Sequence, residues 1–161
     1  MTVRRRAIRA AGARFAVGVI WALVAAACAS INSQTNSFAT LEDARQAGAV
    51  ANGWVPSWLP PGSQDIREAH VPGTTAMWGL ANFPQSESDV LRAALLPDEV
   101  PLDGLRPGIP GRIEWWPLEL RGPLNGERLG VVGIHAYRAR QGDLLVAVNW
   151  KQGRTYYWST R

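Results

Sequence analysis

The chain has 161 residues, a formal net charge of +4 and one cysteine, Cys28. Five of its 17 lysines and arginines precede Cys28, whereas all 13 acidic residues follow it, so a chain beginning at Cys28 has 12 basic residues against 13 acidic ones. That net charge of −1 gives no electrostatic basis for binding nucleic acid, and one cysteine excludes an internal disulfide framework. We therefore expect no nucleic-acid partner and a domain held together by packing.

The first 27 residues have the layout of a bacterial lipoprotein signal peptide. A basic start, Arg4–Arg6, precedes an apolar run from Phe15 to Ala27, and Cys28 follows at once. The run has 13 residues, whereas a helix needs about 20 to cross a bilayer. We predict removal of residues 1–27 and lipidation of Cys28. The alternatives are ordinary cleavage after Ala27 or a later alanine, and an uncleaved apolar anchor.

Lipidation would place the protein in the bacterial cell envelope, held to a membrane by a lipid anchor carrying fatty acids such as palmitate. Ala29 rather than an aspartate follows Cys28, which favours the outer membrane, facing the periplasm, if the cell has two membranes. Residues 28–38 are small and polar after the cysteine and predict a flexible tether. Residues 39–161 then form a single domain.

The domain begins with a short predicted helix and a proline-rich segment. Thr40-Leu41-Glu42-Asp43 has the spacing of a capping box, and Asn52-Gly53 predicts the end of this helix. Residues 54–62 contain three prolines and are expected to be irregular, with Trp54 and Trp58 packing them onto the body. Residues 64–71 then predict a strand at a sheet edge or near a functional surface.

The middle of the chain combines a strand, a helix and a long irregular segment. Residues 74–83 predict a strand, and Ser86 or Ser88 would cap a helix that Pro97 ends. Residues 98–123 are rich in proline and glycine and are expected to be an irregular excursion. A loop of this length in a small domain is usually functional or mobile.

The last third of the sequence predicts a meander of three strands. The segments 131–140, 144–150 and 155–160 are separated by glycine-containing turns, which is a signal for hairpins. Helices and strands do not alternate along the chain as they do in parallel sheets. The predicted fold is α+β, with an antiparallel sheet of four to five strands and one or two helices packed on one face.

Two blocks of the sequence resemble a known family. Residues 53–70 read Gly-Trp-Val-Pro-Ser-Trp-Leu-Pro-Pro-Gly-Ser-Gln-Asp-Ile-Arg-Glu-Ala-His, and Tyr156-Tyr157-Trp158 lies near the end. The chain thereby resembles small uncharacterised bacterial lipoproteins described as YbbD head domain-like. It departs from them after His70, where Val71–Thr75 replaces an Asp-Thr-Asn-like segment. The resemblance implies a secreted, lipid-anchored small domain and no established activity.

The densest polar cluster predicted from the sequence is Asp65, Arg67, Glu68 and His70. Glu68 and His70 are two residues apart and would share one face of a strand. A carboxylate beside an imidazole can orient the ring and raise its basicity, which suits acid–base work. The alternative is an ion-paired strand edge that fixes the proline-rich segment, and we favour it.

Aromatic pairs provide a second candidate surface. Trp115-Trp116 and the pair Trp54 and Trp58 could stack on sugar rings, provided that the indole faces are exposed. The alternative is packing beneath long loops. We take Trp115 and Trp116, together with the polar cluster, as the candidate binding surface.

No catalytic, cofactor or metal motif is present in the sequence. His70 and His135 lie 65 residues apart with no paired ligand spacing, so we expect no metal and no cofactor. There is no Gly-x-Ser-x-Gly motif, and Gly104–Gly111 lacks the context of a phosphate loop. We assign no catalytic residue.

The function expected from these features is that of a non-catalytic binding or structural module in the envelope. Its partner would be another envelope protein or cell-wall glycan. A small acid–base hydrolase using Glu68 and His70 is the first alternative. An inhibitor or immunity lipoprotein that acts through the 98–123 loop is the second. Whether the protein is an enzyme stays open, with a binding module preferred.

Overall fold

The computed structural model describes residues 33–160, and these form one antiparallel sheet of six strands with short helices and long loops around it. The strand order is β1-β2-β3-β6-β5-β4, and every neighbouring pair is antiparallel. The strands are β1 Gln34–Thr40, β2 Gln64–His70, β3 Met77–Asn82, β4 Ile134–Arg138, β5 Leu144–Asn149 and β6 Arg154–Ser159. The predicted α+β class is confirmed, with six strands rather than four or five.

The described residues form three short α-helices outside the sheet: α1 Leu41–Gln46, α2 Ser88–Ala94 and α3 Gly126–Val131. The capping box predicted for α1 is present, because Thr40 Oγ1 accepts from the Asp43 amide and Asp43 Oδ2 accepts from the Thr40 amide. Helix α1 ends well before Asn52-Gly53. No helix in residues 33–160 is long and apolar enough to cross a membrane.

The additional strand is β1, which comprises residues that the sequence assigned to the tether. Residues 34–38 pair with β2 in a regular ladder from Gln34 opposite His70 to Phe38 opposite Ile66. The tether prediction is therefore wrong for these residues, and residues 28–32 lie outside the described part. The sequence of β1 is mostly polar and exposed, so its conformation depends on hydrogen bonds to β2 rather than on an apolar pattern.

The sheet has a core on each side. The Glu68 face, named for the residue at its centre, packs against α1, α2 and the 54–62 segment through buried residues that include Leu41, Leu91 and Val55. The Trp116 face packs against the 98–123 excursion and α3 through Trp116, Leu120 and Leu129. Helix α3 was not predicted. Its last residue is Val131, which the sequence assigned to the strand expected at 131–140.

Strand β2 is internal, which corrects the expectation of an edge. Apolar and polar residues alternate imperfectly along β2 for two reasons. The pairing register shifts between Gln64 and Arg67, and the polar side chains of Glu68 and His70 are buried on the Glu68 face. Asp65 lies at the shift with a positive φ of 48°, which is uncommon outside glycine and typical of a bulge. The polar pattern therefore reflects a bulge and a buried site, not a free edge.

The two sheet edges differ in their protection. The outer edge of β4 is covered by the chain that follows α2, since the Leu96 amide donates to the Arg138 carbonyl and the Val100 amide to the Ala136 carbonyl. The described residues place no such segment beside β1. The 98–123 excursion is irregular as predicted, apart from a 3₁₀ turn at Leu118–Leu120.

Candidate functional site

Glu68 and His70 form a buried pair on the Glu68 face. Glu68 is 0 % exposed and His70 is 4 % exposed. His70 Nδ1 lies 3.0 Å from Glu68 Oε2, and Asn36 Nδ2 donates to Glu68 Oε1. Both carboxylate oxygens therefore have a partner, as a buried charge requires. A carboxylate oxygen is an acceptor, so Nδ1 is the nitrogen that donates in this contact when it carries the hydrogen, and Nε2 is the other nitrogen of the ring.

The ring of His70 is held from a second side by Trp54. The two rings stack with centroids 4.0 Å apart and planes 9° from parallel. No hydrogen bond to Nε2 forms within residues 33–160, and Nε2 is not among the buried atoms that lack a partner. It therefore opens into the adjacent cleft, which His70 lines. The imidazole is fixed in position with one nitrogen available to a ligand.

The cleft beside His70, called here the Trp54 cleft, has a volume of about 460 Å³. Its apolar wall includes Trp54, Trp58 and Met77, and its polar rim includes Thr75, Gln141 and Ser159. Neither Trp54 nor Trp58 uses its indole N–H in a hydrogen bond within the described residues, and neither N–H is a buried orphan. The cleft therefore combines an aromatic surface with indole N–H groups that donate to no acceptor within the described residues, and ligand sites commonly have this combination.

Beneath the cleft, Tyr157 fills space left by Gly79. Gly79 on β3 is paired with Tyr157 on the neighbouring strand β6, and with Glu68 on β2, the neighbouring strand on the opposite side. A Cβ built on Gly79 would lie 1.9 Å from Tyr157 Cζ. The Tyr157 hydroxyl is buried without a hydrogen-bond partner. Burial raises the pKa of Tyr157 well above its usual value, and the charge of Glu68 raises it further.

The other predicted site residues do not join this pair. Asp65 and Arg67 are exposed; Asp65 accepts from Asn82 Nδ2 at 3.1 Å at the bulge, and Arg67 projects to the opposite side of β2 from Glu68. Of the four clustered polar residues, the structure brings together Glu68 and His70 alone.

The tryptophan pair of the candidate surface lies on the Trp116 face. Trp116 is 2 % exposed and packs edge-on against Tyr156 and Trp158, with ring centroids 5.7 and 6.1 Å away. Its indole N–H donates to the Leu120 carbonyl at 3.0 Å. Trp115 is half-buried against the same cluster. This is core packing beneath the 98–123 loop, separated by the sheet from Glu68 and His70.

His135 is remote from His70 and belongs to a different contact. It lies on β4, four strand positions from β2, or roughly 19 Å at about 4.8 Å per strand. His135 Nδ1 is 3.1 Å from Glu99 Oε2 at an exposed position. Residues 33–160 contain no group of three or more His, Cys, Asp or Glu arranged to hold a metal ion.

Sequence reasoning missed Asn36, Gly79 and Tyr157 as parts of this site. Asn36 was assigned to the tether, and Tyr157 was noted as part of the terminal Tyr-Tyr-Trp block. A glycine inside a strand often marks close approach of another group, so Gly79 carried a usable signal. Trp54 and Trp58 were considered for sugar stacking, but packing was preferred. Cys28 lies outside the described residues.

Comparison with known families finds a similarity in the first part of the domain. The family model of the YbbD head domain matches residues 32–79. This range contains β1, α1, the 54–62 segment, β2 and the start of β3, and so includes Trp54, Glu68 and His70. The resemblance predicted from the sequence is confirmed there. No curated protein and no solved structure matches the chain.

Proposed function

We propose that this protein is a lipid-anchored module of the bacterial envelope that binds a cell-wall glycan in the Trp54 cleft without chemical turnover. The observation that carries the proposal is the cleft itself, which joins two tryptophans with a fixed histidine. Aromatic faces stack on the apolar faces of sugar rings, and the free Nε2 of His70 with the Thr75 and Ser159 hydroxyls supplies hydrogen-bonding groups.

The proposed anchor would keep this cleft near a membrane. Cys28 precedes Gln34, the first residue of β1, by six positions. A fully extended chain spans at most about 3.5 Å per residue, so six residues reach about 20 Å. A domain lipidated at Cys28 would therefore bind glycan close to the membrane surface, in the periplasm if the cell has an outer membrane.

Binding is tested with the full-length chain purified in detergent and soluble cell-wall glycan fragments, using isothermal titration calorimetry. Trp54→Ala removes the stacking surface and is expected to weaken binding by about tenfold or more, because a stacked or packed aromatic contributes more than about 1.4 kcal/mol. His70→Gln keeps a polar side chain but loses the positioned nitrogen, and should also weaken binding.

Trp115→Ala is the matched control, since it deletes the same side chain from the Trp116 face. It is expected to leave glycan affinity unchanged. Equal affinity of Trp54→Ala and the parent chain, or a loss in Trp115→Ala as large as that in Trp54→Ala, would contradict a site in the Trp54 cleft.

The anchor is tested separately by intact-mass analysis of protein from bacterial membranes. The expected mass is that of a chain beginning at Cys28 plus fatty acyl groups, and Cys28→Ser should release the protein from the membrane fraction. A mass that retains residues before Cys28, or lacks an acyl adduct, contradicts lipidation without bearing on the cleft.

A second candidate, a small hydrolase, is favoured by one specific observation. The Glu68–His70 contact of 3.0 Å leaves Nε2 facing a cleft, and this is the arrangement in which a carboxylate orients a general base. No side-chain hydroxyl is bonded to Nε2 within the described residues, so the nucleophile would be water. This candidate predicts glycan products, detected by mass spectrometry, that disappear in His70→Gln while binding persists.

A further inference from the structure

A second pocket lies beside Trp150, between α2 and the end of β4, and we call it the arginine pocket. Its volume is about 270 Å³, slightly below the roughly 300 Å³ at which sites for drug-sized ligands begin. Arg92 and Arg140 line it together with Leu96, Tyr137 and Trp150, and no acidic side chain does. The pocket therefore suits a small group that complements positive charge.

Arg92 is held in place by an aromatic ring rather than by an acid. Its guanidinium carbon lies 3.9 Å from the centroid of the Trp150 ring, a cation–π contact. Trp150 is itself fixed, because its indole N–H donates to the Tyr137 hydroxyl at 3.2 Å and Phe83 packs on it edge-on. Arg92 makes no hydrogen bond within residues 33–160, so its planar set of N–H groups is available.

Arg140 is positioned by the backbone of α2. Its Nε donates to the Ala93 carbonyl at 3.0 Å, and its main-chain amide donates to the Ala94 carbonyl at 2.9 Å. Its two terminal nitrogens have no partner in the described part of the chain. The side chain is thus tethered at one nitrogen while the outer edge of the guanidinium stays free to donate.

Neither arginine forms an ion pair within residues 33–160. The charge pairs within residues 33–160 are Arg45–Glu42, His70–Glu68 and His135–Glu99. Glu99 is the carboxylate in contact with Tyr137, and its oxygens accept from the Tyr137 hydroxyl at 3.2 Å and face His135 Nδ1 at 3.1 Å. Two exposed arginines, one held by the Trp150 ring and the other by the Ala93 carbonyl, therefore line one pocket without a charge partner in residues 33–160.

We propose that the arginine pocket binds a phosphate group through Arg92 and Arg140. A phosphate monoester carries a charge of about −1.5 to −2 at pH 7, which matches two guanidinium groups, and its oxygens match their paired N–H donors. Leu96, which is 39 % exposed, provides an apolar rim for the carbon atoms attached to the phosphate. The site is independent of the Trp54 cleft and of the proposed glycan function.

The test is calorimetric titration of the full-length chain in detergent with inorganic phosphate and, separately, with glycerol phosphate. Saturable binding is expected for at least one probe. Arg92→Gln and Arg140→Gln should each weaken it by about tenfold or more, because each removes charge-assisted hydrogen bonds to the phosphate. Arg92→Lys keeps the charge but loses the planar guanidinium that stacks on Trp150 and donates paired hydrogen bonds, so it should also weaken phosphate binding.

Arg128→Gln is the control, because it removes one exposed arginine from α3 with the same change of charge. It should bind like the parent chain. Tighter binding of glycerol phosphate indicates a lipid or glycerol-polymer headgroup as the source, and equal binding indicates free phosphate; both support the proposal. No saturable binding of either probe, or equal loss in Arg128→Gln, overturns it.

Discussion

The two faces of the sheet both bury large aromatic rings, but the groups beside those rings differ. On the Trp116 face, Trp116 and Trp78 donate their indole N–H groups to the carbonyls of Leu120 and Pro107. Buried apolar residues pack around them, and the half-buried Arg121 donates to the Trp116 carbonyl. On the Glu68 face, a carboxylate, an imidazole and an unpartnered phenol lie within the core.

This difference distinguishes a face of the sheet that packing explains from a face that is a candidate for function. A core gains nothing from an orphan hydroxyl or a buried carboxylate that an apolar side chain of the same size would not supply. The Trp116 face is accounted for by packing alone. The Glu68 face retains polar groups that cost stability, and it is there that a cleft opens onto His70.

Deleting Trp116 is expected to have the largest effect on stability. Trp116→Ala should lower the free energy of unfolding by about 3–5 kcal/mol, since it leaves a cavity in a fully packed cluster. Chemical denaturation of the full-length chain in detergent measures this. Trp115→Ala should cost much less because Trp115 is half-buried. Similar losses for the two variants would contradict the packing assigned to this face.

Filling the space at Gly79 should have an intermediate effect. Gly79→Ala places a Cβ against the Tyr157 ring and should lower the free energy of unfolding by about 1–3 kcal/mol, as overpacking does. The penalty should shrink when Tyr157→Leu is added, because the overlapping ring is gone. An unchanged penalty in that background would mean that Tyr157 does not occupy this space.

Removing the Tyr157 hydroxyl should have the smallest effect, and of opposite sign. Tyr157→Phe is expected to raise the free energy of unfolding by about 1 kcal/mol, because the hydroxyl is buried without a partner. A destabilised Tyr157→Phe would show that the hydroxyl makes a favourable contact, and would remove one basis for contrasting the two faces.

The same variant has a pH signature. Burial raises the folded-state pKa of Tyr157, as does Glu68, so the contribution of this group to stability is complete below the unfolded pKa of about 10. Above that pH the unfolded state loses the proton first, and stability falls by about 1.4 kcal/mol per pH unit until the folded pKa is reached. Tyr157→Phe should lack this alkaline loss, which denaturation at a series of alkaline pH values detects.

The sequence was sufficient for elements with local signals. The capping box of α1 and the hairpins around Gly142 and Gly153 depend on neighbours in the chain, and they form as predicted. The shared face of Glu68 and His70 follows from strand alternation. Strand β1 could not be predicted, because a polar segment becomes a strand only when β2 supplies its partner.

The sequence also could not predict which tryptophans are buried and which line a cleft. Trp115 and Trp116 appeared as good a glycan surface as Trp54 and Trp58, because composition does not reveal which ring a loop covers. Trp116 packs beneath the 98–123 segment against Tyr156 and Trp158 of β6, whereas Trp54 stacks on His70 of β2 and lines a cleft. Burial in both cases is set by contacts between distant segments.

The most direct test of the contrast between the two faces is the indole N–H spectrum of the ¹⁵N-labelled full-length chain during titration with soluble cell-wall glycan fragments. The account predicts that the Trp54 and Trp58 signals shift with glycan concentration, while those of Trp116 and Trp158 stay in place. Shifts confined to the Trp116 face, or no shift at Trp54 under conditions of measurable binding, would contradict it.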